Sequence, residues 1–222
     1  MTEPRIALIS ATPLAIAPAT AAITAALPAA TVWNLLDDRL LADAQTEGGI
    51  TAPLAARMDG LIELALAGGA DGVLLTCSQF GERADRRESD AGGRTVLSAD
   101  GPLFAEAVAA DPERVLLVAS LPSAASDSGE RLAQAFAEAG SAAHVHPVVI
   151  PAAAASPSAP ELVETLAAAI SDVDEPFDLV VLAQYSLADA ASSLADRLGV
   201  TVLDGPAAAA RRLTTVLRDE HR

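Results

Sequence analysis

The chain has 222 residues, of which 51% are hydrophobic, and 30 acidic against 14 basic side chains give a formal net charge of −16. This length can bury a full core, as one large α/β domain or as two domains of roughly 100 residues. The acidic surface repels nucleic acid and anionic lipid, so we expect neither as a partner. Lysine is absent, which excludes a pyridoxal Schiff base and phosphate binding by a P-loop lysine.

Compartment and metal content are predicted from the amino terminus, the apolar runs and the cysteine count. No signal-peptide pattern opens the sequence, and no apolar stretch reaches the ~18 residues of a membrane helix, so we expect a cytoplasmic protein without a membrane partner. The single cysteine cannot form an intramolecular disulfide. His144 and His146 share one face of a predicted strand, but no third ligand is evident, so no metal is predicted.

In the first half, short apolar runs alternate with helical segments. Predicted strands cover 5–10, 31–36, 72–75 and 95–97, and predicted helices cover 15–27, 52–67 and 79–90. The Thr51 hydroxyl is expected to cap the second helix, and Leu54, Met58, Leu61 and 64–66 to form its apolar face.

The second half retraces this order. Strands are predicted at 114–120, 144–150, 179–186 and 201–203, with helices at 126–139 and 160–170. In each half the last strand is followed closely by Asp-Gly-Pro opening a helix, at Asp100 and at Asp204. This register predicts two βαβ-rich halves built on one plan, residues 1–97 with 206–222 and residues 98–205.

The most informative stretch is the third strand, where an apolar run breaks into Thr76, Cys77 and Ser78. Open α/β sheets bind ligands at the carboxyl ends of their parallel strands. A thiol placed there, before a helix expected to start at Gln79, would have its pKa lowered by backbone N–H groups and the helix dipole. We therefore interpret Cys77 as a catalytic thiol. The alternative is a buried core cysteine.

The strand at 179–186 repeats this pattern and aligns Thr76 with Gln184, Cys77 with Tyr185 and Ser78 with Ser186. These polar residues could simply cap the helices that follow, but each strand end carries two or three of them, which predicts a pocket for a small carboxylate. Ser120 ends the strand equivalent to 5–10. Thr12 and Asn34 lie near the ends of the first two strands and would add donors, the alternative being loop stabilisation.

The chain resembles the aspartate/glutamate racemase superfamily, which includes hydantoin racemases, maleate isomerases and arylmalonate decarboxylases. The resemblance rests on five segments that together span nearly the whole chain: 10–13 (SATP), 33–38 (WNLLDD), 69–78 (GADGVLLTCS), 95–97 (TVL) and 182–187 (LAQYSL). It implies two pseudo-symmetric α/β halves, each with a parallel sheet of about four strands, an active site between them, and a carboxy-terminal helix folded back onto the first half.

Racemases of that family use one thiol from each half. By the resemblance Cys77 matches the first thiol and Tyr185 stands in place of the second, whereas single-thiol decarboxylases keep theirs in the second half. Ser10 also lacks the acidic or imidazole group that two-base relatives often carry at the first strand end.

The expected function is cofactor-independent chemistry at the carbon next to a carboxylate of a small acid. Cys77 would transfer a proton, Tyr185 is a candidate second catalytic group, and the binding residues would be Thr12, Asn34, Thr76, Ser78, Ser120, Gln184 and Ser186. Isomerisation or carbon–carbon cleavage through a covalent Cys77 adduct, single-thiol decarboxylation, and a catalytically silent acid-binding protein remain open. A homo-oligomer is compatible with the sequence.

Overall fold

The computed structural model describes residues 3–87 and 94–219, which form two parallel four-stranded sheets with helices between the strands. The chain divides into two compact units. The first comprises residues up to Pro102 together with those from Pro206 onward, and the second comprises Leu103–Gly205. The predicted α/β class and its two similar halves are confirmed.

The sheet of the first unit has the strand order β2-β1-β3-β4, with every neighbouring pair parallel. Its strands have the predicted bounds: β1 Arg5–Ser10, β2 Thr31–Leu36, β3 Gly72–Leu75 and β4 Thr95–Leu97. The helices between them are α1 Ile16–Ala26, α2 Leu40–Glu47, α3 Ala52–Ala67 and α4 Gly81–Asp85.

The second sheet repeats this topology in the order β6-β5-β7-β8. Its strands are β5 Arg114–Ala119, β6 His144–Val149, β7 Leu179–Leu182 and β8 Thr201–Asp204. The remaining helices are α5 Gly101–Ala109, α6 Pro122–Glu138, α7 Ala159–Ser171, α8 Ala191–Leu198 and α9 Gly205–Asp219.

In each unit, one helix lies in the chain directly after the last strand of the other unit. From Leu103 onward α5 belongs to the second unit, although it follows β4, and from Pro206 onward α9 belongs to the first, although it follows β8. A Cβ atom at Gly72 of β3 would lie 2.9 Å from Leu213 Cδ2 of α9. Helix α9 therefore packs directly on the first sheet, where the absence of a side chain at Gly72 leaves room for Leu213.

The central strands are buried on both faces because helices cover both sides of each sheet. In β1 and β3, the residues from Ile6 to Ile9 and from Val73 to Leu75 are all 0% exposed. One face of the first sheet packs with α2 and α3 in a cluster that includes Leu40, Met58 and Ile62. The second unit has an equivalent cluster formed with α7 and α8.

Two local predictions for the first unit are wrong. The Thr51 hydroxyl does not cap α3 but donates to Glu47 Oε2 at 2.6 Å, and Leu64 is 52% exposed rather than part of the apolar face. Helix α2 was not predicted, although Leu40 and Ala44 show the i, i+4 spacing of a buried helical face.

The predicted helix at 79–90 also differs. A 3-10 helical turn occupies Ser78–Phe80, and α4 begins at Gly81 and ends at Asp85. Residues 88–90 of that prediction lie outside the described residues. In the second unit, α6 begins at Pro122 instead of residue 126 because proline is well suited to the first helical position, after the extended Leu121.

Within the described ranges, no helix is long and apolar enough to cross a membrane.

Candidate functional site at the strand ends

A buried hydrogen-bonded pair, Ser10 and Thr76, closes the carboxyl ends of β1 and β3. The Thr76 backbone N–H donates to Ile9 O at 3.0 Å, which extends the strand pairing by one residue. The Thr76 hydroxyl donates to Ser10 Oγ at 2.9 Å, and both residues are buried. Thr76, predicted to bind substrate, thus has its side chain directed into the contact between two strands.

Cys77 follows this pair and is half-buried, packed against the core cluster of the first unit. Its backbone is extended, it caps the 3-10 turn Ser78–Phe80, and its carbonyl accepts from the Phe80 N–H at 3.2 Å. The thiol thus lies at the carboxyl end of β3, as predicted. The helical segment expected to begin at Gln79 opens with the 3-10 turn Ser78–Phe80, which runs directly into α4 at Gly81, so Cys77 lies immediately before its first turn.

The other predicted binding residues of the first unit occupy different settings. Thr12 Oγ1 accepts from the Leu14 N–H at 3.4 Å and caps a short 3-10 turn, which matches the loop-stabilising alternative. Asn34 lies within β2, opposite Leu8 and two residues before the strand end, so it is not at the carboxyl edge. Ser78 is half-buried beside the thiol.

In the second unit, Gln184 bridges two strand ends. Its Oε1 accepts from the Ser120 backbone N–H at 2.6 Å and from the Ser120 hydroxyl at 2.9 Å. Ser120 is 3% exposed and Gln184 is half-buried, so this contact lies at the inner edge of the site. The next two residues differ in burial: Tyr185 is 5% exposed, whereas Ser186 is exposed.

The two sheets establish which residues are equivalent. Ile9 pairs with Leu75 in the first sheet, and Val118 pairs with Leu182 in the second. The next bond repeats the match, since the Thr76 N–H donates to Ile9 O and the Ala183 N–H donates to Val118 O. Thr76 is therefore equivalent to Ala183, and the residues after them to each other.

This register corrects the sequence alignment of the two halves by one position. Cys77 is equivalent to Gln184, not to Tyr185, and each of the two caps a 3-10 turn. The sequence alignment matched side chains of similar polarity, whereas the backbone hydrogen bonds set the true register. A carboxamide, not a phenol, thus occupies the second unit's counterpart of the thiol position.

An ion-pair cluster after β2 was not predicted. Arg57 of α3 donates to Asp37 Oδ1 at 2.7 Å and to Asp43 Oδ2 at 2.7 Å, and Arg39 donates to Asp43 at 2.9 Å. Hydrogen bonds from Arg57 and then Arg39 hold the pKa of Asp43 below its usual value. The two acidic residues after β2 were visible in the sequence, but their arginine partner is a tertiary contact. These arginines are already matched by carboxylates.

Exposed apolar side chains mark the carboxyl ends of the outer strands. Leu36 ends β2 and is 44% exposed, and its register equivalent Val149 ends β6 and is 36% exposed. Leu14 and Leu121, just beyond β1 and β5, are exposed as well. Both sheets therefore present aliphatic surface near their polar strand ends.

Residues 3–87 and 94–219 contain no group of three or more His, Cys, Asp or Glu side chains placed to hold a metal ion. Of the histidines considered as ligands, His146 lies 3.1 Å from Glu175 through Nδ1 and Oε2, a partly exposed pair on the surface.

Searches for relatives by sequence find no matching family model and no matching curated protein. Solved structures do match over the whole chain. An allantoin racemase from Klebsiella pneumoniae is 18% identical with a TM-score of 0.67, covering 98% of this chain and 89% of its own. A glutamate racemase from Bacillus anthracis is 14% identical with a TM-score of 0.71, covering 99% and 84%.

A variant of arylmalonate decarboxylase is 20% identical with a TM-score of 0.57, covering 96% of this chain and 94% of its own. The chain has the aspartate/glutamate racemase fold. This confirms the resemblance at the level of fold. A shared fold does not specify a reaction, because the chemistry resides in the site residues.

Proposed function

We propose that the chain is a cofactor-independent enzyme acting at the carbon next to a carboxylate of a small acid, with Cys77 as its proton-transferring group. The observation that carries the proposal is the half-buried thiol at the carboxyl end of β3, where parallel α/β sheets bind their ligands. The names of the structural neighbours, two racemases and a decarboxylase, are consistent with this class of reaction.

The other predicted site residues are assigned roles according to their burial and hydrogen bonds. Ser78, Gln184 and Ser186 would donate hydrogen bonds to the carboxylate or the developing enediolate. Thr76 and Ser120 would support the strand ends, since both are buried and bonded within their own units. Thr12 and Asn34 stay secondary candidates. Tyr185 is proposed as a packing group, because it is 5% exposed and is not the counterpart of the thiol.

Proton transfer by a single thiol would proceed as follows. In the isomerase version, the Cys77 thiolate removes the proton from the α-carbon and the electron pair passes into an enediolate. The planar enediolate then turns over, and the thiol returns the proton to its opposite face. In the decarboxylase version, the carbon–carboxylate bond breaks, carbon dioxide leaves, and the Cys77 thiol protonates the enediolate. Solvent then reprotonates the thiolate.

The decarboxylase version is a second candidate favoured by two observations. The counterpart of Cys77 is Gln184, whose amide cannot act as the second base that symmetric racemisation needs. The exposed Leu36, which ends β2 in the same sheet as the thiol strand, suits an acid with an apolar substituent.

The test compares the wild-type chain with Cys77→Ser on a panel of malonates, substituted malonates, maleate, hydantoins and acidic amino acids. Deuterium uptake and carbon dioxide release report turnover. We expect the wild type to turn over at least one acid and Cys77→Ser to lose activity while keeping its melting temperature, because a serine hydroxyl is nearly isosteric but far less acidic. Alkylation of the single cysteine with iodoacetamide should abolish the same activity.

Undiminished turnover in Cys77→Ser would overturn the role of the thiol. Saturable binding without turnover of any acid would instead identify a catalytically silent binding protein.

A further inference from the structure

Gln184 is held so that its orientation is determined by its partners. The group facing it is a backbone N–H of Ser120, at 2.6 Å, which can only donate. The carboxamide atom on that side must therefore be the oxygen. The Ser120 hydroxyl, at 2.9 Å from the same oxygen, donates as well.

The two hydrogen bonds from Ser120 determine which group the other end of the amide presents. With Oε1 engaged by two donors, the Nε2 group lies on the opposite side of the planar carboxamide and offers only N–H donors. Ser120 is 3% exposed whereas Gln184 is half-buried, so the oxygen end is the inner end of the side chain.

The equivalent positions of the first unit do not have the side-chain contact that Ser120 makes with Gln184. By the strand register, Ala11 is the counterpart of Ser120, and Cys77 is the counterpart of Gln184. Ala11 offers a methyl group, so its side chain cannot orient an amide. The second unit thus replaces a proton-transferring group with a fixed donor and supplies the hydroxyl that fixes it.

We propose that Gln184, oriented by Ser120, is the hydrogen-bond donor that binds an anionic oxygen of a small dicarboxylate, and that it takes no part in proton transfer. The inference rests on the proposed function for the class of ligand. In this arrangement the second unit binds an acceptor with negative charge and contributes no base.

The test measures malonate binding by isothermal titration calorimetry in the Cys77→Ser background, so that turnover does not enter. Gln184→Glu keeps an oxygen for both Ser120 donors but replaces the N–H donors with a second oxygen and a negative charge. We expect the malonate dissociation constant to rise by at least about 10-fold at pH 7, because like charges oppose each other. Gln184→Met removes the donors without adding charge and should weaken binding by about 10-fold.

The pH dependence separates a binding role from a purely structural one. A glutamate next to an anionic ligand titrates above its reference pKa of ~4.3, and its protonated form regains one donor. Malonate binding to Gln184→Glu should therefore recover towards that of the parent protein as the pH falls from 7 to 5. A structural defect would give weak binding at both values.

Each outcome decides one of the two proposals. Equal malonate affinity of the parent, Gln184→Glu and Gln184→Met would overturn the inference while leaving a Cys77-dependent activity intact. Weakened binding in both variants, together with turnover that survives Cys77→Ser, would support the inference and overturn the proposed function. A parent protein that does not bind malonate or maleate saturably would overturn the inference itself.

Discussion

Gln184 occupies in the second sheet the position that Cys77 occupies in the first. Each lies two residues beyond the last paired residue of its strand, and each caps a 3-10 turn. A thiol exchanges its proton near neutral pH, whereas a carboxamide does not. The two halves therefore share a backbone plan but differ in chemistry where the proposed reaction takes place.

This asymmetry predicts the stereochemistry of the product. If an enediolate forms by decarboxylation, only one thiol is available to protonate it, so proton delivery should be one-sided and the product a single enantiomer. The reaction is run in deuterated water with any acid that the wild type turns over, and the product is resolved by chiral chromatography. A racemic product with exchange on both faces would show that a second base operates.

Gln184→Cys should change that result. The substitution places a thiol at the counterpart of Cys77, so the enantiomeric excess of the product should fall and the variant should racemise the isolated product. Gln184→Ser is the matched control, since it shortens the side chain in the same way without adding a group that titrates near neutral pH. An unchanged enantiomeric excess in Gln184→Cys would show that a thiol at this position does not act as a second base, and would count against the proposed reaction.

Gly72→Ala should destabilise the first unit. The new Cβ atom would lie 2.9 Å from Leu213 Cδ2 and 3.3 Å from Ile6 Cδ1, so the Leu213 side chain must move within a packed core, at a cost of about 1–3 kcal/mol in the free energy of unfolding. Gly60→Ala in α3 is the control. Its Cβ meets nothing within 4 Å, so it should stabilise by up to about 1 kcal/mol. Urea denaturation measures both, and equal effects would refute the close packing of α9.

Asp178→Asn should destabilise the second unit in a pH-dependent way. Burial acts to raise the pKa of Asp178, but the backbone N–H groups of Glu113 and Arg114, at 2.8 and 2.9 Å, outweigh it and hold that pKa below its usual value. A depressed folded pKa gives stability that is present above the unfolded value of ~3.9 and is lost as the pH falls through the folded pKa. Because the residue is exposed, we expect a loss of about 1 kcal/mol at pH 7.

Asp71→Asn is the matched control in the first unit. Asp71 is the register equivalent and accepts the backbone N–H of Arg5 at 2.7 Å, whereas the counterpart of Glu113 is Pro4, which has no N–H. Its effect should be smaller, because the asparagine oxygen can keep that single bond. Thermal melts at pH 7 and pH 2.5 measure both variants. An Asp178→Asn penalty that persists undiminished at pH 2.5 would contradict the electrostatic origin.

The strands could be predicted from the sequence, because buried parallel strands are short apolar runs whose ends are marked by polar residues. The bounds of all four strands in the first sheet were predicted from that pattern, as was the placement of Cys77 just beyond β3. Repetition of the same pattern also predicted a second half with the same topology. These features are local, so the order of residues is enough to specify them.

The correspondence between residues of the two halves, and the contacts between their side chains, depend on pairing between distant segments and could not be predicted. Matching residue types paired Cys77 with Tyr185, but the hydrogen bonds from β3 to β1 and from β7 to β5 shift the correspondence to Gln184. Likewise, the contacts of Gln184 with Ser120 and of Gly72 with Leu213 join segments far apart in the chain. Strand register is set by pairing between distant segments, so a one-residue shift is invisible within either segment alone.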